Sequence, residues 1–371
     1  MKLLVVVGTR PEAIKMAPLV LVLREEPGFE AKLLFTGQHR DMVAPALSCF
    51  GLAPDQDLDL MMPGQNLNTF AARAIDTIDR VIADEKPDRI LVQGDTTSAL
   101  AAAIAGFHNR VPVGHVEAGL RTGDLARPFP EEMNRRTIDG IADLLFAPTA
   151  AAREALETER AGGTIHVTGN SGIDALYLMR RRLDEDPALC TAADESLPGI
   201  APGRRLVAVT GHRRESFGEG LRNICTALAE LAAKDGIDIV YPVHPNPAVR
   251  EPVAAALGEV DHVHLVPPLD YPSTVRLMQR ADLILTDSGG IQEEAPALGT
   301  PVLVLRDVTE RPEGVECGSA RLVGTDPARI VAEALDALAR GPVETASPYG
   351  DGRACERIVD ALADRKVQPF G

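Results

Sequence analysis

Tryptophan is absent from this 371-residue chain, and aromatic residues make up only 4% of it. No run of lysine and arginine exceeds three residues either: 38 basic residues stand against 54 acidic ones, a formal charge of −16 with histidine neutral. An acidic chain so poor in rings lacks the electrostatic footprint of a nucleic acid binder. Long hydrophobic runs are missing too. The apolar run at the N-terminus is Leu3 to Val7, short of a secretory core of about 7–15 residues or a spanning helix of about 20. A cytoplasmic protein without a membrane partner is therefore expected. The five cysteines, at 49, 190, 225, 317 and 355, are odd in number and never closer than 35 residues. That spacing argues against a disulfide frame and a cysteine-based zinc site, and the thiols are expected to be buried. Neither G-x-G-x-x-G nor a P-loop Gly-Lys-Ser/Thr is present, so the dinucleotide and ATPase fingerprints fail.

What remains is ordinary for a globular chain: 45% apolar and 25% charged residues, with length for about two domains. Short apolar runs alternate with stretches of helical period: Leu3 to Val7, Ala31 to Phe35, Arg89 to Val92 and Val111 to Val116. Then come Leu206 to Val209, Ile237 to Val243, Leu283 to Leu285 and Pro301 to Leu305. This alternation predicts parallel sheets covered by helices on both faces, a doubly wound α/β class. The halves also resemble each other, since Gly8-Thr9-Arg10-Pro11-Glu12 follows the first strand as Gly211-His212-Arg213-Arg214-Glu215 follows Leu206 to Val209. Two related domains are expected, 1–168 and 169–352, with 353–371 forming a helix that packs back on the first. The polar stretch Asp184 to Pro202 reads equally as a separator or as a loop of the second domain. Two such domains facing each other would form a cleft lined by the loops beyond the strands' carboxyl ends.

Those loops carry the candidate chemistry. Gly8-Thr9-Arg10-Pro11, with Lys15 a turn and a half further on, reads as an anion site built from free helix amides and cations, or as an ordinary strand-to-helix turn. In Asp287-Ser288-Gly289-Gly290-Ile291-Gln292-Glu293-Glu294, two glycines after a strand permit close backbone approach to phosphate. Glu294, one helical turn on, can accept from sugar hydroxyls; the same glycines would also suit a plain tight turn. Asp95 and Glu117 each follow a strand, and Glu131 stands in Pro128-Phe129-Pro130-Glu131-Glu132, all in the first domain. Such carboxylates suit acid and base work near a phosphate, or salt bridges with Arg121, Arg135 or Arg136. A protonated His212 would neutralise a departing diphosphate. His262 and His264 share a strand face, but no third ligand has metal spacing; His39, His108 and His244 make no separate claim.

In order, the motifs VVVGTRPEAIKMAPL, TGQHR, VQGDTT, HVEAGLRT, PFPEEMNRR, GHRRESFG, DSGGIQEEAPALGTPVLVLRD and TERPE resemble those of the non-hydrolysing UDP-N-acetylglucosamine 2-epimerases, over positions 3 to about 315. The resemblance implies a GT-B-type fold of two Rossmann-like domains, usually a homodimer, with neither metal nor nicotinamide, interconverting UDP-GlcNAc and UDP-ManNAc. It places Arg10, Lys15, His212, Ser288, Gly289 and Gly290 around the UDP phosphates, Glu294 at the ribose and Arg311 nearby, with Arg135 also in the substrate site. Asp95, Glu117 and Glu131 match the family's catalytic acids, assisted by His212. Leu269 to Thr274 falls where the family contacts uracil, with Thr274 in place of an aromatic residue. Gln38, Arg213 and His244 match positions at which some members bind a second UDP-GlcNAc as activator, whereas Asp41 and Gly64 depart from the Gln and Arg of those members. A 2-epimerase of a diacetamido uronic acid sugar would share these motifs. A GT-B glycosyltransferase would share the nucleotide loops, a hydrolysing epimerase would release free sugar, and a UDP-sugar sensor would bind without turnover.

Overall fold

The computed structural model describes the chain apart from residues 39, 63, 212–217 and 344–346 and the side chains of residues 40–42. It divides into two compact units, Met1–Leu178 with Tyr349–Gly371, and Met179–Pro348. The first holds strands β1 (Lys2–Val7), β2 (Glu30–Phe35), β3 (Gln56–Asp57), β4 (Arg89–Gln93), β5 (Val113–Val116), β6 (Leu144–Ala147) and β7 (Thr164–Val167). They form one parallel sheet in the order β3-β2-β1-β4-β5-β6-β7. The second unit holds β8 (Arg205–Thr210), β9 (Ile237–Pro242), β10 (Val263–Val266), β11 (Leu283–Thr286), β12 (Val302–Val304) and β13 (Ala320–Leu322), parallel in the order β10-β9-β8-β11-β12-β13. Both follow the Rossmann pattern in which the third, second and first strands run outward one way and the fourth onward the other. The fold is thus α/β and GT-B-type, two doubly wound Rossmann-like domains in one chain.

Central strands are apolar on both faces because helices cover both. Leu3 to Val7 are fully buried or nearly so, and Val5 lies level with Leu33 of β2 and Leu91 of β4. The sheet core of the first unit closes with Phe70, Ile78 and Ile82 of the Leu67–Glu85 helix and Ala99 to Ala105 of the Thr97–His108 helix. That of the second closes with Leu221, Leu228 and Leu231 of the Glu219–Ala232 helix and Ile330 and Ala334 of the Pro327–Arg340 helix.

The crossing between units differs from the 168/169 boundary read from the sequence. It falls between Leu178 and Met179, inside the Ser171–Glu185 helix, and the chain returns at Tyr349. A continuous helix carries no compositional mark of such a crossing. The polar stretch Asp184 to Pro202 is no separator: it contains the Pro187–Glu195 helix, capped by Asp186, and Asp194 pairs with Arg276 and Arg280 within the second unit. Asp-Pro at a helix start is the local signal for it. At the C-terminus the Ala354–Leu362 helix lies against the Arg10–Glu25 helix of the first unit. Its first turn is capped from afar by Asp174, whose carboxylate accepts from the backbone N–H of Ala354 at 3.1 Å and of Cys355 at 2.8 Å. Burial pushes the Asp174 carboxyl up to about 6. All five cysteines are free, but only Cys225 and Cys355 are buried; Cys49, Cys190 and Cys317 are partly exposed, contrary to expectation, because each sits near a helix end at the surface. Among the described residues no helix is long and apolar enough to cross a membrane.

Candidate active site

In the first sheet the strand order reverses between β1 and β4, and a doubly wound sheet opens its ligand crevice at the carboxyl ends beside such a reversal. Gly8-Thr9-Arg10-Pro11 leaves β1 there, and Gly94-Asp95-Thr96 leaves β4. One buried carboxylate joins the two loops. Glu12 Oε2 accepts from Gly8 N at 3.1 Å and Thr9 Oγ1 at 2.7 Å, while its Oε1 accepts from Thr96 Oγ1 at 2.7 Å. Burial pushes the Glu12 carboxyl up to about 7, against the opposing pull of the Thr9, Thr96 and Gly8 hydrogen bonds. Between the ordinary value of 4.5 and about 7 the folded chain therefore keeps a proton that the unfolded chain has lost. The stability associated with this proton is complete below the lower value and is lost as pH rises through the upper one, on the order of 3 kcal/mol in all. Thermal unfolding followed across that window should show a steeper fall in wild type than in Glu12→Gln. Parallel curves for the two proteins would contradict this.

The three acids are gathered around the same loops. Glu117 follows β5 with a left-handed backbone, φ 69°, uncommon for a side-chain-bearing residue and typical of functional positions. It is held there because its own N–H and that of Ala118 both donate to the Phe146 carbonyl, at 3.0 and 3.1 Å. Its carboxylate accepts from Lys15 Nζ, from Gln93 Nε2 and, at 3.2 Å, from Asn170 Nδ2. Gly94, at φ 65°, has its missing Cβ position 3.5 Å from Glu117 Oε2, so the loop bearing Asp95 passes directly beside Glu117. Asp95 is fastened to Arg135, Nη2 to Oδ2 at 2.5 Å, and its carbonyl accepts from Asn134 Nδ2 at 2.8 Å. Glu131 opens the Glu131–Ile141 helix, where the amide dipoles favour a carboxylate. Glu131 and Arg135 are four residues apart and share a helix face, so the residue that grips Asp95 stands one turn from Glu131. Of the proposed arginine partners, Arg121 and Arg136 serve other acids, Asp139 with Glu159 and Glu132 with Glu159 respectively. Lys15, read from the sequence as a phosphate ligand, has its ammonium on Glu117 in this structure.

A buried network missed by the sequence reading supports this cluster. His115 in β5 is fully buried, with Nδ1 2.6 Å from Asp139 Oδ1 and Nε2 2.7 Å from the Gly94 carbonyl. Asp139 Oδ2 in turn accepts from Gly119 N at 3.2 Å and lies 2.8 Å from Arg121 Nη1. Burial alone would raise the Asp139 carboxyl, but His115 and Arg121 hold it below the usual carboxylate range. The network pins the residue before Asp95 and the residue two beyond Glu117. A histidine in an apolar strand, with an acid 24 residues later, was the available signal.

The second sheet reverses between β8 and β11. Thr210 and Thr286 end these strands with their hydroxyls 2.5 Å apart, and Thr286 Oγ1 accepts from Ser288 N at 2.9 Å. Ser288 occupies the N-cap of the Gly289–Ala297 helix without a side-chain cap bond. The first-turn amides of a helix lack intrahelical acceptors, and open space lies beside the absent Cβ of Gly290. Gly289 has a different reason for being glycine: a Cβ there would stand 2.7 Å from Arg311 Cζ. Arg311 pairs with Glu293 at 2.8 Å and Glu310 at 3.0 Å, which stations its guanidinium against that helix start. Glu294 Oε1 accepts from Tyr271 Oη at 3.5 Å, joining it to the Leu269–Thr274 segment. There Asp270 caps the Tyr271–Arg280 helix and Thr274 Oγ1 donates back to the Asp270 carbonyl at 2.6 Å, while Leu269 is half-buried.

His212 and Arg213 lie outside the described residues, as does His39. Arg10 begins its helix half-buried beside the first loop pair. Of the positions matched to an activator site, Gln38 accepts from Ser98 Oγ at 2.8 Å in the first unit, and exposed His244 accepts from Asn246 N at 3.1 Å in the second. Gly64 takes φ 72°. His262 and His264 both face Asp238, which Arg204 also binds. Among the described residues no group of three or more His, Cys, Asp or Glu side chains is arranged to hold a metal.

The sequence profile of the UDP-N-acetylglucosamine 2-epimerase family matches residues 21–363. The chain is 51% identical to the UDP-N-acetylglucosamine 2-epimerase of Salmonella typhimurium, an alignment covering 99% of this chain and 100% of the relative. Its backbone superposes on the Neisseria meningitidis UDP-GlcNAc 2-epimerase bound to UDP-GlcNAc with a TM-score of 0.91 at 42% identity, covering 98% of this chain and 100% of that one. A Staphylococcus aureus protein solved with UDP gives a TM-score of 0.87 at 40% identity, over 100% of both chains. The chain belongs to the UDP-N-acetylglucosamine 2-epimerase family, whose members are isomerases.

Proposed function

We propose that this chain interconverts UDP-GlcNAc and UDP-ManNAc without hydrolysis, by eliminating UDP to 2-acetamidoglucal and adding it back. The observation that carries the reading is the gathering of Asp95, Glu117 and Glu131 at one end of the first sheet, with Glu117 beside the Asp95 loop and Arg135 linking Asp95 to the helix that Glu131 opens. The hydrogen on C2 of the sugar is not acidic by itself. If the C1–O bond breaks first or in concert, its electron pair leaves with UDP and positive charge at C1 acidifies that hydrogen. A carboxylate takes the proton, and the C–H electron pair becomes the C1=C2 double bond. Return of a proton to the opposite face of C2, with attack of the UDP oxygen on C1, gives the epimer.

This chemistry asks for two services. Departing diphosphate charge needs preorganised donors, a role that suits Arg10, Arg311, His212 and the Ser288-Gly289-Gly290 helix start. Proton transfer needs carboxylates that reach both faces of C2, a role that suits Asp95, Glu117 and Glu131. Glu294 and the Leu269–Thr274 segment suit the ribose and uracil, and UDP must stay bound between the two half-reactions. A homodimer acting in the cytoplasm is part of the same reading.

Incubation with UDP-GlcNAc in deuterated water, with no acceptor and no metal added, tests it. NMR should show UDP-ManNAc appearing with deuterium at C2 of the product. Inverted sugar without label would replace the elimination by a transient oxidation. Free ManNAc with UDP would make the chain a hydrolysing enzyme, and the absence of any turnover would leave a binding protein.

A further inference from the structure

Glu117 is held from three different elements, by Lys15 of the Arg10–Glu25 helix, by Gln93 at the end of β4, and by Asn170. The third was not among the residues singled out by the sequence, and it is tied in three directions. Asn170 is 3% exposed and directly precedes the Ser171–Glu185 helix. Its Oδ1 accepts from Gly172 N at 2.8 Å, the geometry of a helix N-cap. With Oδ1 so engaged, the amide can turn only its NH2 toward Glu117, which fixes an orientation otherwise ambiguous for an amide. Its backbone N–H donates at 2.7 Å to the carbonyl of Tyr349, the residue at which the chain returns to the first unit.

We propose that Asn170 is a positioning residue for the epimerisation: its amide sets the Glu117 carboxylate in its reactive orientation, and the Tyr349 carbonyl sets Asn170. The proposal rests on the reading of Glu117 as an acid–base group. Lys15 supplies charge to the same oxygen but from a flexible stem, whereas Asn170 supplies direction from a short side chain locked at both ends. A purely structural Asn170 would be an N-cap and nothing more, and aspartate is as good an N-cap as asparagine. Aspartate at this position would keep the Gly172 bond and the volume, yet turn a carboxylate oxygen toward Glu117.

The experiment compares Asn170→Asp, Asn170→Ala and Glu117→Gln with wild type, measuring kcat and KM for UDP-GlcNAc, deuterium uptake at C2, UDP affinity and melting temperature. Both Asn170 variants should lose kcat by about 10–100-fold, the scale of a small misplacement of a reacting group. KM and UDP affinity should stay within a few fold of wild type, and C2 exchange should slow in step with kcat. Asn170→Asp should be at least as impaired as Asn170→Ala although it melts closer to wild type. A wild-type kcat in Asn170→Asp would overturn the proposal, as would a rank order in which only melting temperature predicts activity. If Glu117→Gln itself turned over normally, the acid–base reading would fall; if it were impaired while the Asn170 variants were not, the role of Asn170 alone would fall.

Discussion

Asp95→Asn, Glu117→Gln and Glu131→Gln are each expected to lower kcat for UDP-GlcNAc by about 10²–10⁴-fold, the usual worth of a positioned acid or base. UDP affinity should stay within a few fold, because the first-unit acids are assigned to the sugar carbon and not to the nucleotide. The substitutions are near-isosteric, and the structure indicates that the fold tolerates them. Asn at 95 retains an oxygen for Arg135, which now reaches Asp95 Oδ2 at 2.5 Å. Gln at 117 can keep its oxygen on Lys15 and Asn170, while the amide of Gln93 turns over to accept from the new NH2. Glu131 stands in a helix first turn, where loss of its charge costs about 0.3–1 kcal/mol. A drop in turnover without a matching drop in melting temperature is therefore the expected signature. Steady-state kinetics together with calorimetric UDP titration read both halves, and wild-type turnover in all three variants would remove the acid–base assignment.

What the sequence shows of this site follows from where the chemistry is local. Each motif loop is a strand end followed by glycine or by a helix-starting residue, so Gly8-Thr9-Arg10, Gly94-Asp95 and Ser288-Gly289-Gly290 stand out before any tertiary fact is known. The strands buried on both faces, such as Leu3 to Val7 and Leu206 to Val209, stand out for the same reason. Short edge strands do not: β3 is two residues long and exposed, and β13 has only three residues. Pairings between distant residues are equally silent. Lys15 reads as a phosphate ligand because Arg10 is near it in sequence, but its ammonium is 102 positions from the carboxylate it meets. The link from Asn170 to Glu117 is hidden for the same cause, since only the folded sheet brings these residues together across 53 positions, whereas His115 and Asp139 stand on successive elements, β5 and the Glu131–Ile141 helix. The crossing between Leu178 and Met179 leaves no trace because it runs through an unbroken helix, whereas the return at Tyr349 falls four residues before the 353 read from the sequence.

In the second unit, Arg311→Ala is expected to lower both stability and UDP affinity, and Gly289→Ala separates the two effects. Glu293 is 3% exposed and receives Arg311 Nε at 2.8 Å. Removing that cation leaves a buried carboxylate short of its counter-charge, a loss of about 3–5 kcal/mol in comparable pairs, visible as a melting temperature lower by several degrees. Lysine would restore the charge but not the fork that reaches Glu293 and Glu310 together. At Gly289 the argument is steric. An added Cβ would fall 2.7 Å from Arg311 Cζ and 2.8 Å from Nη1, so something must move, and the far end of a long side chain moves more easily than a helix start. The alanine variant should therefore melt near wild type yet carry its guanidinium displaced from the Ser288-Gly289-Gly290 amides. If that guanidinium binds the diphosphate, UDP should bind about 10–100-fold more weakly, the worth of one charged hydrogen bond. Unchanged UDP affinity in a stable Gly289→Ala would show that Arg311 serves Glu293 and Glu310 alone, and the helix amides would then bear the phosphate without it.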